Sequence, residues 1–169
     1  MKINKVIVGP LDTNCYVLEM DNKCLVIDPG DEYNKIKEVI GSKEVIGVII
    51  THYHFDHIGA LSNFDESLIL DKSNLEEKEY NINNFNFEVI YTPGHKEDSI
   101  TIYFKKEKIM FTGDFIFKET IGRMDLPGGS YKDMQKSLNK ISKYDKNIKV
   151  YPGHGEETFL KNEIYWIKI

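Results

Sequence analysis

Apolar and polar positions along this chain fall into short runs, many alternating with a period of two, that are bounded by Gly, Pro, Asn and Asp. Runs of this kind at residues 5–9, 15–20, 24–28, 45–51, 68–70, 87–92, 99–104 and 109–112 are rich in Val, Ile, Tyr and Phe and predict β-strands. Residues 45–50 are almost continuously apolar, the pattern of a strand buried on both faces. Helical periods are fewer. Residues 34–40 place Ile36, Val39 and Ile40 on one side, and residues 131–144 place Met134, Leu138 and Ile141 at helical spacing, after which residues 148–151 return to a strand pattern. The polar, Asn-rich segment 81–86 reads as a connector, and Pro127-Gly128-Gly129-Ser130 as a loop leading into the second helix.

Strands come in groups with helices between the groups. This predicts two sheets packed face to face with helices outside, and no strict βαβ alternation. No linker or low-complexity stretch interrupts the pattern, so residues 1–169 are expected to form one domain.

Composition narrows the partners. The chain carries 27 acidic and 22 basic residues, a net charge of −5, which argues against a general nucleic-acid binder. Cys15 and Cys24 lie on neighbouring predicted strands. With Asp21-Asn22 as the turn, Cys24 faces Glu19 and Cys15 faces Asp28, so the two are expected to stay reduced and buried. No apolar run has the length of a signal segment or a membrane span. The expectation is a cytoplasmic protein acting on a small molecule, with no nucleic-acid or membrane partner and an oligomeric state that composition leaves open.

Candidate chemistry is concentrated in one stretch. Thr51-His52-Tyr53-His54-Phe55-Asp56-His57 holds three of the chain's five histidines, and the other two, His95 and His154, sit in the Gly-flanked turns Pro93-Gly94-His95 and Pro152-Gly153-His154-Gly155. Imidazole and carboxylate suit zinc, iron or manganese, and no cysteine joins the histidines, which argues against a structural zinc finger. His52 and His54 flank one residue at the end of a predicted buried strand and can reach one ion. Asp56 and His57 follow as the chain turns into a helix and can reach a second, and Asp114, after another strand, is a candidate bridge.

The series His52-x-His54-x-Asp56-His57, His95, Asp114 and His154 resembles the metallo-β-lactamase fold superfamily. Within it the chain is most similar to the glyoxalase II-like (hydroxyacylglutathione hydrolase-like) group, through Ile27-Asp28-Pro29-Gly30, Thr92-Pro93-Gly94-His95, Gly113-Asp114-Phe115-Ile116-Phe117 and Ile121-Gly122-Arg123-Met124-Asp125-Leu126-Pro127-Gly128-Gly129. The resemblance implies a four-layer αββα sandwich with two divalent metal ions at one edge, zinc first, with iron or manganese as alternatives. It implies that His52, His54 and His95 hold one ion and Asp56, His57 and His154 the other, with Asp114 between them. The implied activity is hydrolysis of a small thioester or related acyl bond by a hydroxide generated on the metals, with Asp56 also orienting it. Persulfide dioxygenases share the Gly-Arg-x-Asp run and bind a single iron through the equivalents of His52, His95 and Asp114, so they are the alternative. A non-catalytic metal-binding module is the third reading.

The remaining polar residues divide between structure and chemistry. Asp28, before Pro-Gly, suits both a turn and support of a metal-bound histidine. Arg123 and Asp125 are expected to pair locally, the alternative being an Arg123 that contacts an anionic substrate group. Tyr53 and Phe55 are expected to pack around the site, and Lys96-Glu97-Asp98 to form a solvated turn where related sequences often have Thr-Pro-Gly. Hydroxyacylglutathione hydrolases proper carry a further C-terminal helical region. This chain ends at Ile169, and its segment 60–89 is short for the group, so glutathione thioesters are expected to fit poorly.

Overall fold

A computed structural model describes residues 1–165. β1 (Lys2–Val8), β2 (Thr13–Met20) and β3 (Lys23–Ile27) run antiparallel, and β4 (Glu44–Ile49) and β5 (Ile69–Leu70) join them in parallel to complete a five-stranded sheet. The predicted turn at Asp21-Asn22 is present, with both residues at positive φ, and Glu19 lies opposite Cys24. Both cysteines are free and buried. α1 (Tyr33–Ile40) connects β3 to β4 and buries Ile36 and Ile40.

The second sheet has six strands in the order β13-β12-β9-β8-β7-β6. β6 (Glu79–Ile82), β7 (Phe85–Tyr91), β8 (Ile100–Phe104) and β9 (Ile109–Gly113) form an antiparallel meander. The chain then leaves through the short hairpin of β10 (Ile116–Phe117) and β11 (Thr120–Ile121). It returns through α3 (Tyr131–Ile141), so that β12 (Lys149–Pro152) pairs parallel to β9. β13 (Thr158–Phe159) and α4 (Leu160–Ile164) follow. α3 is capped by Ser130, whose hydroxyl accepts from the Asp133 N–H, and it buries Met134, Leu138 and Ile141 as the spacing predicts. It ends at Ile141, three residues before the predicted stop.

Three apolar clusters make four layers. Tyr16, Leu18, Leu25, Ile27 and Ile49 of the first sheet meet Phe85, Phe87, Val89, Ile102, Phe104 and Phe111 of the second. On the outer face of the first sheet Val17, Val26 and Val48 pack on Ile36 and Ile40, and on that of the second Ile90, Met110 and Val150 pack on Met134, Leu138 and Ile141. Both sheets are covered on both faces, which is why successive residues of β3, Leu25 to Ile27, are all buried. This is the expected αββα sandwich. The expected connector at 81–86 is instead the turn of a hairpin: Asn83 and Asn84 take φ of 47° and 72°, which asparagine tolerates better than most residues, and their flanks pair as β6 and β7. Among the described residues no helix is long and apolar enough to cross a membrane.

Candidate metal centre

All five histidines converge where β4, β7, β9 and β12 end. His52 stands three residues beyond the end of β4. His54 caps the one-turn helix α2 (Phe55–Ile58), which carries Asp56 and His57. His95 lies in the β7–β8 loop, Asp114 just after β9 and His154 just after β12. Two groups of donors flank the centre, His52 with His54 and His95, and Asp56 with His57 and His154, while Asp28 with His52 and His57 makes a third behind them; within each group the ligand atoms lie within 4.8 Å of one another.

Asp114 stands between the groups. Its Oδ2 is 3.9 Å from His52 Nε2, 3.5 Å from His95 Nε2 and 3.4 Å from His154 Nε2, and its Oδ1 is 3.2 Å from His57 Nε2. Asp56 Oδ2 lies 3.4 Å from His57 Nε2 and 3.1 Å from His154 Nε2. His95 Nε2 and His54 Nδ1 are 2.9 Å apart. Donors about 2.0–2.1 Å from a tetrahedral ion sit roughly 3.3 Å from each other, so these spacings fit ligands around shared points.

The outward nitrogens explain why the inner ones face the centre. His57 Nδ1 is 2.8 Å from Asp28 Oδ2, His95 Nδ1 is 2.7 Å from the Arg123 carbonyl oxygen, and His154 Nδ1 is 3.0 Å from the Leu11 carbonyl oxygen. These partners only accept, so each Nδ1 carries a proton and Nε2 is the nitrogen left to face a metal. His52 reaches the same state through a relay. Thr51 Oγ1 donates to Asp28 Oδ2 at 2.6 Å, which leaves it to accept from His52 Nδ1 at 3.1 Å. Asp28 therefore supports one histidine of each group, and it also accepts from the Thr51 backbone N–H at 2.8 Å. Turn geometry, a φ of 51° before Pro29-Gly30, and the contact with His57 thus fall on the one residue.

His52 Nε2, His57 Nε2 and Asp114 Oδ1 are buried with no hydrogen-bond partner. His57 Nε2 and Asp114 Oδ1 face each other without the alignment of a hydrogen bond. Unpaired buried polar atoms carry a desolvation cost of about 1–3 kcal/mol each, and here they point at the same place. A divalent ion fits this donor set and removes that cost.

Without metal the two groups differ electrostatically. Burial holds His52 well below the usual imidazole range, with its histidine neighbours adding to the effect, and His54 is lowered by burial and by His95. Burial also opposes charge on His57, but Asp28 and Asp114 outweigh it and raise the group to about 10; His154 is likewise raised to about 10 by Asp114 and Asp56 against its burial. Asp56, disfavoured by burial, is brought to about 2 by His154, His57 and Thr13. In the metal-free centre the lowered His52 and His54 stand beside a cation–carboxylate cluster.

Several positioning residues escaped the sequence reading. Asn14 donates through Nδ2 to the carbonyls of Pro152 and Gly155, its backbone N–H donates to Gly153, and Tyr16 Oη donates to Pro152 at 2.6 Å; together they hold the His154 turn. Thr13 Oγ1 donates to Asp56 Oδ2 at 2.9 Å. Their only signal is a Thr-Asn pair opening an otherwise apolar strand, where buried polar groups need partners. Gly153 must lack a side chain, because a Cβ there would lie 2.3 Å from Asp114 Oδ1. Arg123 pairs with Asp125 through two contacts of 2.7 and 2.8 Å, as favoured from sequence. Tyr53 and Phe55 do not pack around the site: they are 38% and 72% exposed. The extended backbone that aims His52 and His54 inward sends Tyr53 to the other side, where its hydroxyl donates to Asp71 at 2.5 Å.

The profile of the metallo-beta-lactamase superfamily matches residues 8–85 and 68–154. The chain is 32% identical to the probable metallo-hydrolase YqgX of Bacillus subtilis (strain 168), over 96% of this chain and 94% of the relative. It is 28% identical to the hydroxyacylglutathione hydrolase GloC of Haemophilus influenzae, over 96% and 95%. Among solved structures, the B3 metallo-beta-lactamase BLEG-1 superposes with a TM-score of 0.88 at 28% identity, covering 97% of each chain. TTHA1623 in a di-iron-bound form superposes with a TM-score of 0.85 at 27% identity, covering 95% of this chain and 96% of that one. The fold, the donor set and these likenesses agree, and the chain belongs to the metallo-beta-lactamase superfamily.

Proposed function

We propose that this protein is a two-metal hydrolase that cleaves a small thioester or related acyl bond, adding water to give a carboxylic acid and a thiol. The observation that carries the reading is the pair of donor groups joined through Asp114, with His52, His54 and His95 on one side and Asp56, His57 and His154 on the other. Two divalent ions held there would polarise an acyl carbonyl and supply hydroxide near neutral pH. Asp56, ionised at any working pH, serves as an acceptor that orients the attacking water. All five histidines belong to the donor groups, which leaves no spare imidazole to protonate a leaving group. A thiolate, whose conjugate acid has a pKa of about 8.5, leaves without such help, whereas an alkoxide or amine does not. The similarity to a hydroxyacylglutathione hydrolase along nearly the whole chain supports the same class. A single-iron dioxygenase would leave Asp56, His57 and His154 without a use, and their tight grouping favours the hydrolase.

The test begins with metal content. Protein purified without added metal or chelator is expected to carry about two equivalents per chain by elemental mass spectrometry, zinc being the first expectation. One equivalent of iron with little else, accompanied by oxygen uptake on persulfide, would overturn the proposal. His54→Ala is expected to lower thioester hydrolysis by more than about 100-fold while the circular dichroism spectrum stays native, because His54 is partly exposed and lies outside the apolar clusters. Unchanged turnover in that variant would sink the assignment.

Metal uptake is expected to release protons. His57 and His154 stand at about 10 in the metal-free protein, so both hold a second proton at pH 8 that a metal must displace. A pH-stat titration near pH 8 is expected to record about two protons from these residues per chain, falling as pH rises through about 10. Uptake without proton release would show that these nitrogens are not ligands. The same raised values have a stability sign. In the metal-free protein the charged histidines stabilise the fold fully below pH 6.5, and the contribution is lost as pH rises through about 10.

A further inference from the structure

Three cationic residues lie on or beside segments that carry or touch the donors, and each is matched by an acid. Arg123, whose carbonyl oxygen holds His95, has its guanidinium forked onto Asp125. Lys118 pairs with Glu156 across a groove that also contains His154. Lys96, next in the chain to His95, lies 3.5 Å from Asp98 and 3.7 Å from Glu97. A carboxylate approaching any of them meets a neutralised pair rather than a net positive charge, on a protein of net charge −5.

What the rim does offer is apolar. Phe55, between His54 and Asp56, is 72% exposed, and Leu11, whose carbonyl holds His154, is 50% exposed. Leu126 is exposed in the loop that carries Arg123. The groove beside His154 has a volume of about 500 Å³ and is walled by Phe117, whose ring centroid lies 6.0 Å from that of His154. Single exposed apolar residues on a surface mean little, but these are fixed to segments that carry the donors. The groove has the size of a small-molecule subsite.

Resting on the thioester reading above, we infer that the substrate of this site is uncharged and apolar where it meets the rim, and that Asp125 and Glu156 act as selectivity residues by cancelling Arg123 and Lys118 against anionic thioesters. Neither acid touches the donor groups. Each acts by holding a cation that would otherwise bind a substrate carboxylate bidentately or as a point charge.

The test compares two thioesters with the same hexanoyl group on the metal-loaded enzyme, one on neutral N-acetylcysteamine and one on anionic glutathione. Wild type is expected to show a kcat/KM at least about tenfold higher for the neutral thioester. Asp125→Asn and Glu156→Gln are each expected to raise kcat/KM on the glutathione thioester about threefold or more, through KM, with the neutral one unchanged and the gain lost at high salt. A wild type that prefers the glutathione thioester overturns the inference and leaves the hydrolase standing. So do natively folded variants that keep the wild-type ratio. Should one variant not fold, the wild-type ratio and the other variant decide. If neither thioester is turned over, the thioester reading itself falls and the inference with it.

Discussion

Asp114→Ala is expected to leave the protein without its second equivalent of metal and to reduce turnover by about three orders of magnitude or more, the scale on which a group shared by both halves of a catalytic unit acts. Asp114 stands between the two donor groups, with contacts to His52, His57, His95 and His154 between 3.2 and 3.9 Å. Removing it leaves those four imidazoles facing one another around a hole, with only Asp56 to offset two divalent charges. The metal-free variant should also titrate His57 and His154 lower than wild type, since Asp114 is one cause of both raised values, with Asp28 and Asp56 still in place. Elemental mass spectrometry, thioester turnover and a circular dichroism melt separate the outcomes. Retention of two equivalents with wild-type turnover would show that Asp114 is no bridge. Metal loss with no change in any turnover would favour a non-catalytic binding module over the hydrolase.

The donor set was legible from sequence because each member sits where local chemistry constrains the backbone. His52 ends an apolar strand, His95 and His154 lie in Pro-Gly turns, and Asp114 follows the glycine that closes β9, so linear order implied a shared destination. The two-sheet sandwich followed from strands that come in groups with helices between the groups. What supports the donors was less legible, because it is set by pairings far apart in the chain. Asn14 holds a turn 138 to 141 positions away, and Thr13 reaches Asp56 over 43. No periodicity reports such distances.

Phe55 shows a different limit. An aromatic residue between two ligands reads as packing, and only the entry angle of α2 decides that its ring faces solvent. The Asn-rich segment misled in the opposite direction. Polarity suggested a connector, whereas Asn83 and Asn84 were turn residues of a hairpin whose inward positions, Tyr80 and Ile82, are too sparse to mark a strand. Charge pairing is also a three-dimensional property: Lys118 and Glu156 are 38 positions apart yet form an ion pair, which a composition count does not see.

Asp28 is where fold and chemistry meet most directly, and its substitution is expected to show both. The residue is 1% exposed and engages the Thr51 N–H, the Thr51 hydroxyl and His57 Nδ1. Breaking a buried, hydrogen-bonded charge by removing one partner costs about 3–5 kcal/mol, so Asp28→Ala is expected to melt roughly 6–20 °C below wild type in the metal-free state. Asp28→Asn keeps the volume and can still accept from the Thr51 N–H, which should recover part of that loss. It cannot recover the histidines. With its oxygen at the Thr51 N–H, the amide puts an NH2 where Oδ2 now accepts from both His57 Nδ1 and the Thr51 hydroxyl, so the support of His57 and the relay to His52 are broken together. Metal affinity is therefore expected to fall about 10–100-fold in Asp28→Asn, measured by competition with a chromophoric chelator. Because Asp28 reaches a histidine in each donor group, both equivalents should weaken together. A residue that only shaped the turn would lower the melting temperature and leave both affinities where they were. Loss of one equivalent alone would mean that the Thr51 relay does not orient His52.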